Sequence, residues 1–367
     1  MRGTGVTILM LIAGCRFDLP PEFPAKDDAG ANDAAKGTPY KKLITIDQAR
    51  VSGGQAQFPV WIALDGDADL KAHATDEGAD IYFTADDGTP LPHEIQGFSR
   101  ELGRLGAWVR TDLNAATQTV LELRYGDPST ASAPRPAQVF SSSFAAVWHL
   151  DDSLATDAVA DATGNRPGSA GGLGPADQVA ARLGGGIDFD GVDDRVLFTN
   201  PYTGGGDHTI SAWVFQRTAT GYDTIVTLGS PTVSRSRWLN SHHETGVSAG
   251  FYGNDWSTST NPLPSIDNAG WVLLHWTFKG GSRQSRIYRD GTPIGQPYTF
   301  SGGIDTLGPD GNIGYAPAGW GTWWLNGILD EVRLATAERS AGWIATEFAN
   351  QSSPQTFYTV GAEEPVR

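Results

Sequence analysis

Cysteine is almost missing from this chain: one thiol, Cys15, stands among 367 residues. One thiol cannot close an intramolecular disulfide, so the folded part draws its stability from packing or from a metal. Basic residues are also scarce, 26 against 42 acidic ones, giving a formal charge of −16. That balance argues against nucleic acid, whose binding needs a Lys/Arg-rich face. No His/Cys cluster has metal-ligand spacing, which speaks against zinc. No apolar run reaches the roughly 20 residues that a spanning helix requires, and helix-period stretches are few. Glycine is abundant instead, at 46 residues, with 12 tryptophans and many alternating Thr- and Val-containing segments. This composition predicts an all-β protein with many turns, long enough for two domains.

The first residues, "MRGTGVTILMLIAGC", place Arg2 ahead of an apolar run from Val6 to Ala13, the layout of a secretory signal. The run ends in "LIAGC", which resembles the bacterial lipobox. The resemblance implies cleavage before Cys15, with residues 1–14 as signal peptide and lipid on the Cys15 thiol. Arg16 is not the aspartate that retains enterobacterial lipoproteins at the inner membrane, which favours the outer membrane. Residues 15–39 are rich in Pro, Ala and Asp without apolar periodicity and read as a disordered tether.

Residues 40–128 read as a small β-sandwich. In "FPVWIALD", Phe58, Val60, Ile62 and Leu64 share one apolar face, and in "TVLELRYGDP" Leu121, Leu123 and Tyr125 alternate inward. An Asp-Asp-Gly turn at 86–88 marks a hairpin, and no helix-period segment intervenes. Residues 129–143 form a Pro/Ser-rich linker. Residues 144–363 read as a larger sandwich. In "HTISAWVF" the set Ile210, Ala212, Val214 opposes Thr209, Ser211, Trp213, Phe215 across the strand. One helix is expected, "ERSAGWIATEFANQ", capped by Ser340 with Trp343 and Phe348 on its packing side, and "FYTVGA" is expected to close this second domain.

Within "NGILDEVRL" alternation puts Ile328, Asp330, Val332 and Leu334 on one face, so a carboxylate points into a core, at a cost unless it is neutralised. Backbone N–H donors, an arginine or a cation would each serve. Glu331 and Arg333 fall on the other face as an expected surface ion pair.

The pieces "VWHLDDS", "DATGN", "IDFDGVDDRV", "HTISAWV", "IYRDGTPIG" and "GILDEVRLATAERSAGWIATEF" occur in the order found in the laminin-G-like, concanavalin-A-like jelly-roll superfamily. Residues 145–363 resemble that superfamily along about their whole length. Residues 40–128, through "YKKLITID", "GADIYFTADDGTPLPHEI" and "LELRYGD", resemble an uncharacterised domain often found directly before such jelly rolls. The jelly-roll resemblance implies a structural Ca²⁺ held by a late-strand aspartate, here Asp330. Asp151 or Asp152 and Asp190, Asp193 or Asp194 would be further ligands, since hard oxygen donors suit this ion.

Catalytic motifs are missing. The Glu-x-Asp-x-x-Glu signature of glycosidases on this sandwich does not occur, nor does a nucleophile elbow or a phosphate loop. His242 and His243 in "SHHE" are adjacent, so a strand would send them to opposite faces, and an exposed loop is expected. Ten of the 12 tryptophans lie beyond residue 143. Trp148, Trp213, Trp271, Trp276 and Trp343 read as core. Trp238, Trp256, Trp320 and Trp323 fall in loop-like stretches and are the candidate ligand-binding rings, because flat aromatic faces stack on sugars and protein partners. The expectation is a lipid-anchored envelope protein without catalysis, recognising a glycan or a cell-surface protein through a calcium-stabilised lectin-like module. It would touch the membrane through its lipid alone. A polysaccharide-acting enzyme on the same fold and a structural envelope component are the alternatives.

Overall fold

The computed structural model describes residues 39–127, 129, 133–141, 143–217, 221–242, 246–256, 263, 265–317, 319 and 321–366. Cys15, the signal segment, Trp320 and His243 lie outside the described residues.

The first module is two sheets face to face. One carries the strands Tyr40–Ile46, Thr119–Tyr125 and Tyr82–Ala85; the other carries Gln55–Leu64, Arg104–Leu113 and His93–Ser99. Its core is the set that alternation marks: Phe58, Val60 and Ile62 from one sheet, and Leu121, Leu123 and Tyr125 from the other, are all fully buried. A six-residue helix, Ala68–His73, escapes the periodicity argument because it is too short to show any. Asp67 starts it by accepting from the backbone N–H groups of Asp69 and Leu70.

The last strand does not close the second domain as expected. Tyr358–Val360 pairs antiparallel with Tyr40–Ile46, and Glu364–Pro365 continues along Tyr40 and Lys41. The physical reason is an otherwise unpaired strand edge at the start of the fold. The other sheet is sealed by side chains from the same C-terminal segment. The Asn350 carboxamide accepts from the Trp61 N–H (2.7 Å) and donates to its carbonyl (3.0 Å). The Tyr358 hydroxyl does the same for Ala63. Helix Ala341–Ser352, capped by Ser340 as the sequence indicates, adds Trp343 and Ile344 to the first module's core. Tyr40–Ile46 and the C-terminal strands therefore build one module.

The second module is a sandwich of two eight-stranded sheets. The back sheet has Asn326–Ala335 and His208–Gln216 at its centre; the front sheet includes Tyr222–Gly229, Ser236–His242 and Gly246–Phe251. Between them lie Ile210, Ala212, Val214, Leu239, Phe251, Trp276 and their neighbours. The back sheet's other face packs on the first module through an apolar layer of Trp61, Trp108, Val139, Phe140, Leu183, Trp213 and Leu273. The expected linker contributes Val139 and Phe140 to that layer, from a short helical turn at Pro136–Val139.

Candidate functional site

The buried carboxylate does not sit where strict alternation puts it. Glu331 adopts a left-handed backbone, φ 54°, and the pairing of Asn326–Ala335 with His208–Gln216 shifts register between Ser211 and Trp213. This bulge slips one residue. Leu329, Val332 and Leu334 enter the sandwich core, while Asp330 turns to the opposite side, opposite Trp213. Asp330 is fully buried there; Oδ2 accepts from the Leu183 N–H at 2.7 Å and Oδ1 has no hydrogen-bond partner. Burial, with the nearby Glu331 and Asp151 charges, pushes its carboxyl well above the usual range.

The same bulge carries Glu331 and Arg333 inside, so they are not a surface pair. Glu331 and Arg333 are 1% and 2% exposed and form the middle of a buried chain of charges joining the modules. Glu94 meets His149 Nε2 at 3.2 Å, and His149 Nδ1 meets Glu331 at 2.6 Å. Glu331 accepts from Arg333 at 2.7 Å, Arg333 donates to Glu347 at 2.9 Å, and Glu347 meets His275 at 3.1 Å. Burial alone would lower the His149 pKa, but the Glu331 and Glu94 carboxylates outweigh it and hold it well above the ordinary value. Glu347 is brought down to about 2, because His275, Arg333 and Arg339 overcome its desolvation.

Asp330, Asp151 and Asp190 do not converge on one cation. Among the described residues, the only group of three close acidic or thiol/imidazole ligands is Asp190, Asp193 and Asp194, with oxygens within 4.8 Å of one another. Asp194 is buried in that turn, accepts from the Asp190 N–H, and is pushed up to about 6 by burial and by the carboxylates around it. Asp151 is exposed, and Asp152 accepts from the Ala160 N–H.

The tryptophans divide differently from the expectation. Trp256 is core, 2% exposed and stacked on Tyr298 at 5.8 Å, so it offers no face to a ligand. Trp238 is 5% exposed and clusters with Ala316, with Tyr252 and Trp323 packed against the pair, so it is not an open platform. Trp323 is half-buried, with the Tyr222 ring at 4.5 Å, and the His242 ring lies 4.4 Å from Tyr222. His242 thus ends a strand and does not lie in a loop.

These rings border a feature that sequence reasoning missed. On the front sheet's outer face, Thr224, Asn240 and Ser248 are cross-strand neighbours on three adjacent strands. A bulge at Ile225 sends both Ile225 and Val226 into the core, which keeps Thr224 and Thr227 on the outside. All three are buried, at 0%, 0% and 2% exposure. Yet the Thr224 hydroxyl, both amide atoms of Asn240 and the Ser248 hydroxyl lack any hydrogen-bond partner. Buried polar atoms are normally satisfied, and each orphan costs about 1–3 kcal/mol. Thr227 one row over is paired, donating to the Tyr315 carbonyl at 2.8 Å. Nothing in the sequence signals this: Thr224, Asn240 and Ser248 alternate with the core residues Ile225, Leu239 and Val247, the pattern of ordinary solvent-facing positions.

Architecture and strand order define an all-β protein whose second module is a jelly-roll sandwich. Residues 190–345 match the Laminin_G_3 family model, the concanavalin A-like lectin/glucanases superfamily, so the chain carries a domain of that type. No curated protein matches the chain. Among solved structures, a Trypanosoma rangeli sialidase in complex with 2,3-difluoro-KDN is similar at 14% identity, over 56% of this chain and 32% of that one, with a TM-score of 0.42. Domain 4 of AbnA, a GH43 extracellular arabinanase from Geobacillus stearothermophilus in complex with arabinotriose, is similar at 16% identity, over 56% of this chain and 98% of that one, with a TM-score of 0.44. The chain spans about a third of the length of that sialidase chain. With both scores below 0.5, these likenesses bear on neither ligand nor activity.

Proposed function

We propose that the front-sheet face is a glycan-binding site and that the protein works by recognition, without turnover, at the bacterial envelope to which lipid on Cys15 would tether it. One observation carries this: the Trp323 and Tyr222 rings, half-buried and 4.5 Å apart, edge the outer face of the front sheet. A sugar's C–H surface stacks on such flat aromatic faces. The strip of Thr224, Asn240 and Ser248 and its flanking rings contain no carboxylate, which favours binding over acid–base hydrolysis. A carbohydrate array with the whole protein and with Trp323→Ala tests the reading: wild type retains glycans that the variant loses. Equal signals from both, or none from either, would count against it.

The structural calcium that the resemblance implies stays a separate proposal, now confined to Asp190, Asp193 and Asp194. Its test is a melting temperature that falls with chelator in wild type but not in Asp194→Asn.

A further inference from the structure

Resting on the glycan-binding reading, we infer that Gly321 and Thr322 are positioning residues for Trp323: their positive-φ turn sets the pose in which the ring meets a sugar. Trp323 lies on a short two-stranded hairpin, where it pairs with Ala316 while Trp324 pairs with Tyr315. Successive strand residues face opposite ways. Trp324 stacks on Tyr315 at 3.9 Å on one side, and Ala316 and Trp323 belong to the Trp238 cluster on the other. The base of the hairpin is anchored by the Thr227 hydroxyl, which donates to the Tyr315 carbonyl, and by the Leu325 N–H, which donates to the Gly314 carbonyl at 2.9 Å. These bonds fix the backbone, but a half-buried indole keeps its own rotamer freedom unless something packs against it.

Gly321 supplies that contact. Its φ is +133°, and a Cβ there would stand 2.5 Å from Trp323 Cε2 and 2.6 Å from Nε1. The Gly321 backbone therefore lies against the nitrogen side of the indole, closer than any other residue type allows. Tyr222 meets the same ring at 4.5 Å, so the indole has a fixed neighbour of each kind, backbone and ring. Thr322 then leads the chain into the strand at φ 60°. Among the described residues it is the one β-branched side chain on a left-handed backbone, and it is exposed, so no burial of its own offsets the strain. Such outliers persist where the surroundings over-determine them, and they cluster at binding sites. A ring held in place beforehand loses little freedom when a ligand stacks on it, which is how the turn raises affinity.

The test compares variants of the whole protein by the Trp323 indole N–H resonance without ligand and by titration with an array-selected oligosaccharide. Gly321→Ala should move the resonance and weaken binding at least about tenfold, because the added methyl displaces the ring. Thr322→Pro, which fixes φ near about −65°, should do the same. Thr322→Gly takes positive φ without steric cost, so it should keep the resonance in place and the affinity within about twofold. Gly302→Ala is the control: φ there is +66° and nothing lies within 4 Å of an added Cβ, so it strains the backbone without touching Trp323 and should change neither readout. An unmoved resonance in Gly321→Ala, or a moved one with wild-type affinity, would overturn the positioning role while leaving glycan recognition standing. Equal loss of binding in Gly302→Ala would reduce the effect to general strain and overturn it too. If wild type itself retains no glycan, the glycan reading fails and the positioning role fails with it.

Discussion

Replacing Thr224 by valine should make the protein more stable. The side chain is fully buried and its hydroxyl has no partner, so the folded state bears an uncompensated desolvation cost of about 1–3 kcal/mol. Valine has the same shape, removes that cost and leaves no cavity, and β-branched residues suit a strand. The change acts on the hydroxyl alone, because the backbone pairing of Thr224 with Asn240 is untouched. The expected gain is therefore about 1 kcal/mol or somewhat more, or about 2–4 °C in melting temperature for a domain near 200 residues. Urea unfolding measures the effect. If the variant unfolds earlier than wild type, the hydroxyl has a partner within the folded protein, and the reasoning is refuted.

Other predictions follow from the buried charges. Asp330→Asn should leave stability unchanged near pH 4 and raise it at pH 7. Because its pKa is raised by folding, the Asp330 carboxyl costs stability that builds as pH rises above the unfolded value, about 1.4 kcal/mol for each unit of upward shift; destabilisation at pH 7, read by urea unfolding, would mean that a cation or donor needs the charge. Arg333→Met should destabilise by about 3–5 kcal/mol, because it removes the buried guanidinium that joins Glu331 to Glu347 and leaves each carboxylate with its histidine partner alone; a melting scan checks it, and a change under 1 kcal/mol would contradict it. Stability from His149, whose pKa is raised by folding, should be complete below about pH 6.5 and fade as pH rises through its folded value. That from Glu347 should be complete above about 4.5 and fade toward its folded value of about 2. His149→Gln should flatten the alkaline limb of the stability–pH curve and leave the acid limb in place. Tyr358→Phe should cost about 1–3 kcal/mol by exposing both backbone groups of Ala63 to an unpaired state, and an unchanged unfolding midpoint would contradict the edge-sealing role.

Much of the fold was legible locally. Period-two patterning placed Phe58, Val60, Ile62, Leu121 and Leu123 in a core, and Ser340 marked a helix start, because these signals depend on a few adjacent residues. The faces of Asn326–Ala335 were misassigned because the left-handed residue of its bulge is Glu331, not the glycine or asparagine that usually announces one. The partner of Tyr358–Val360 was illegible for a different reason. A strand's pattern says which face is apolar, not which edge some 300 residues earlier is free to accept it. The site was half legible. Trp323 was named for its ring, but Thr224, Asn240 and Ser248 look like ordinary solvent-facing alternation until three strands align them and burial shows that nothing satisfies them.

The most direct test of the glycan site is an amide and indole NMR titration of the whole protein with an array-selected neutral oligosaccharide. The account predicts that the Trp323 indole N–H shifts in a saturable way, while Trp61 and Trp108, buried in the inter-module layer, stay fixed. Saturable shifts that avoid the Trp323 ring would place the ligand elsewhere and contradict it.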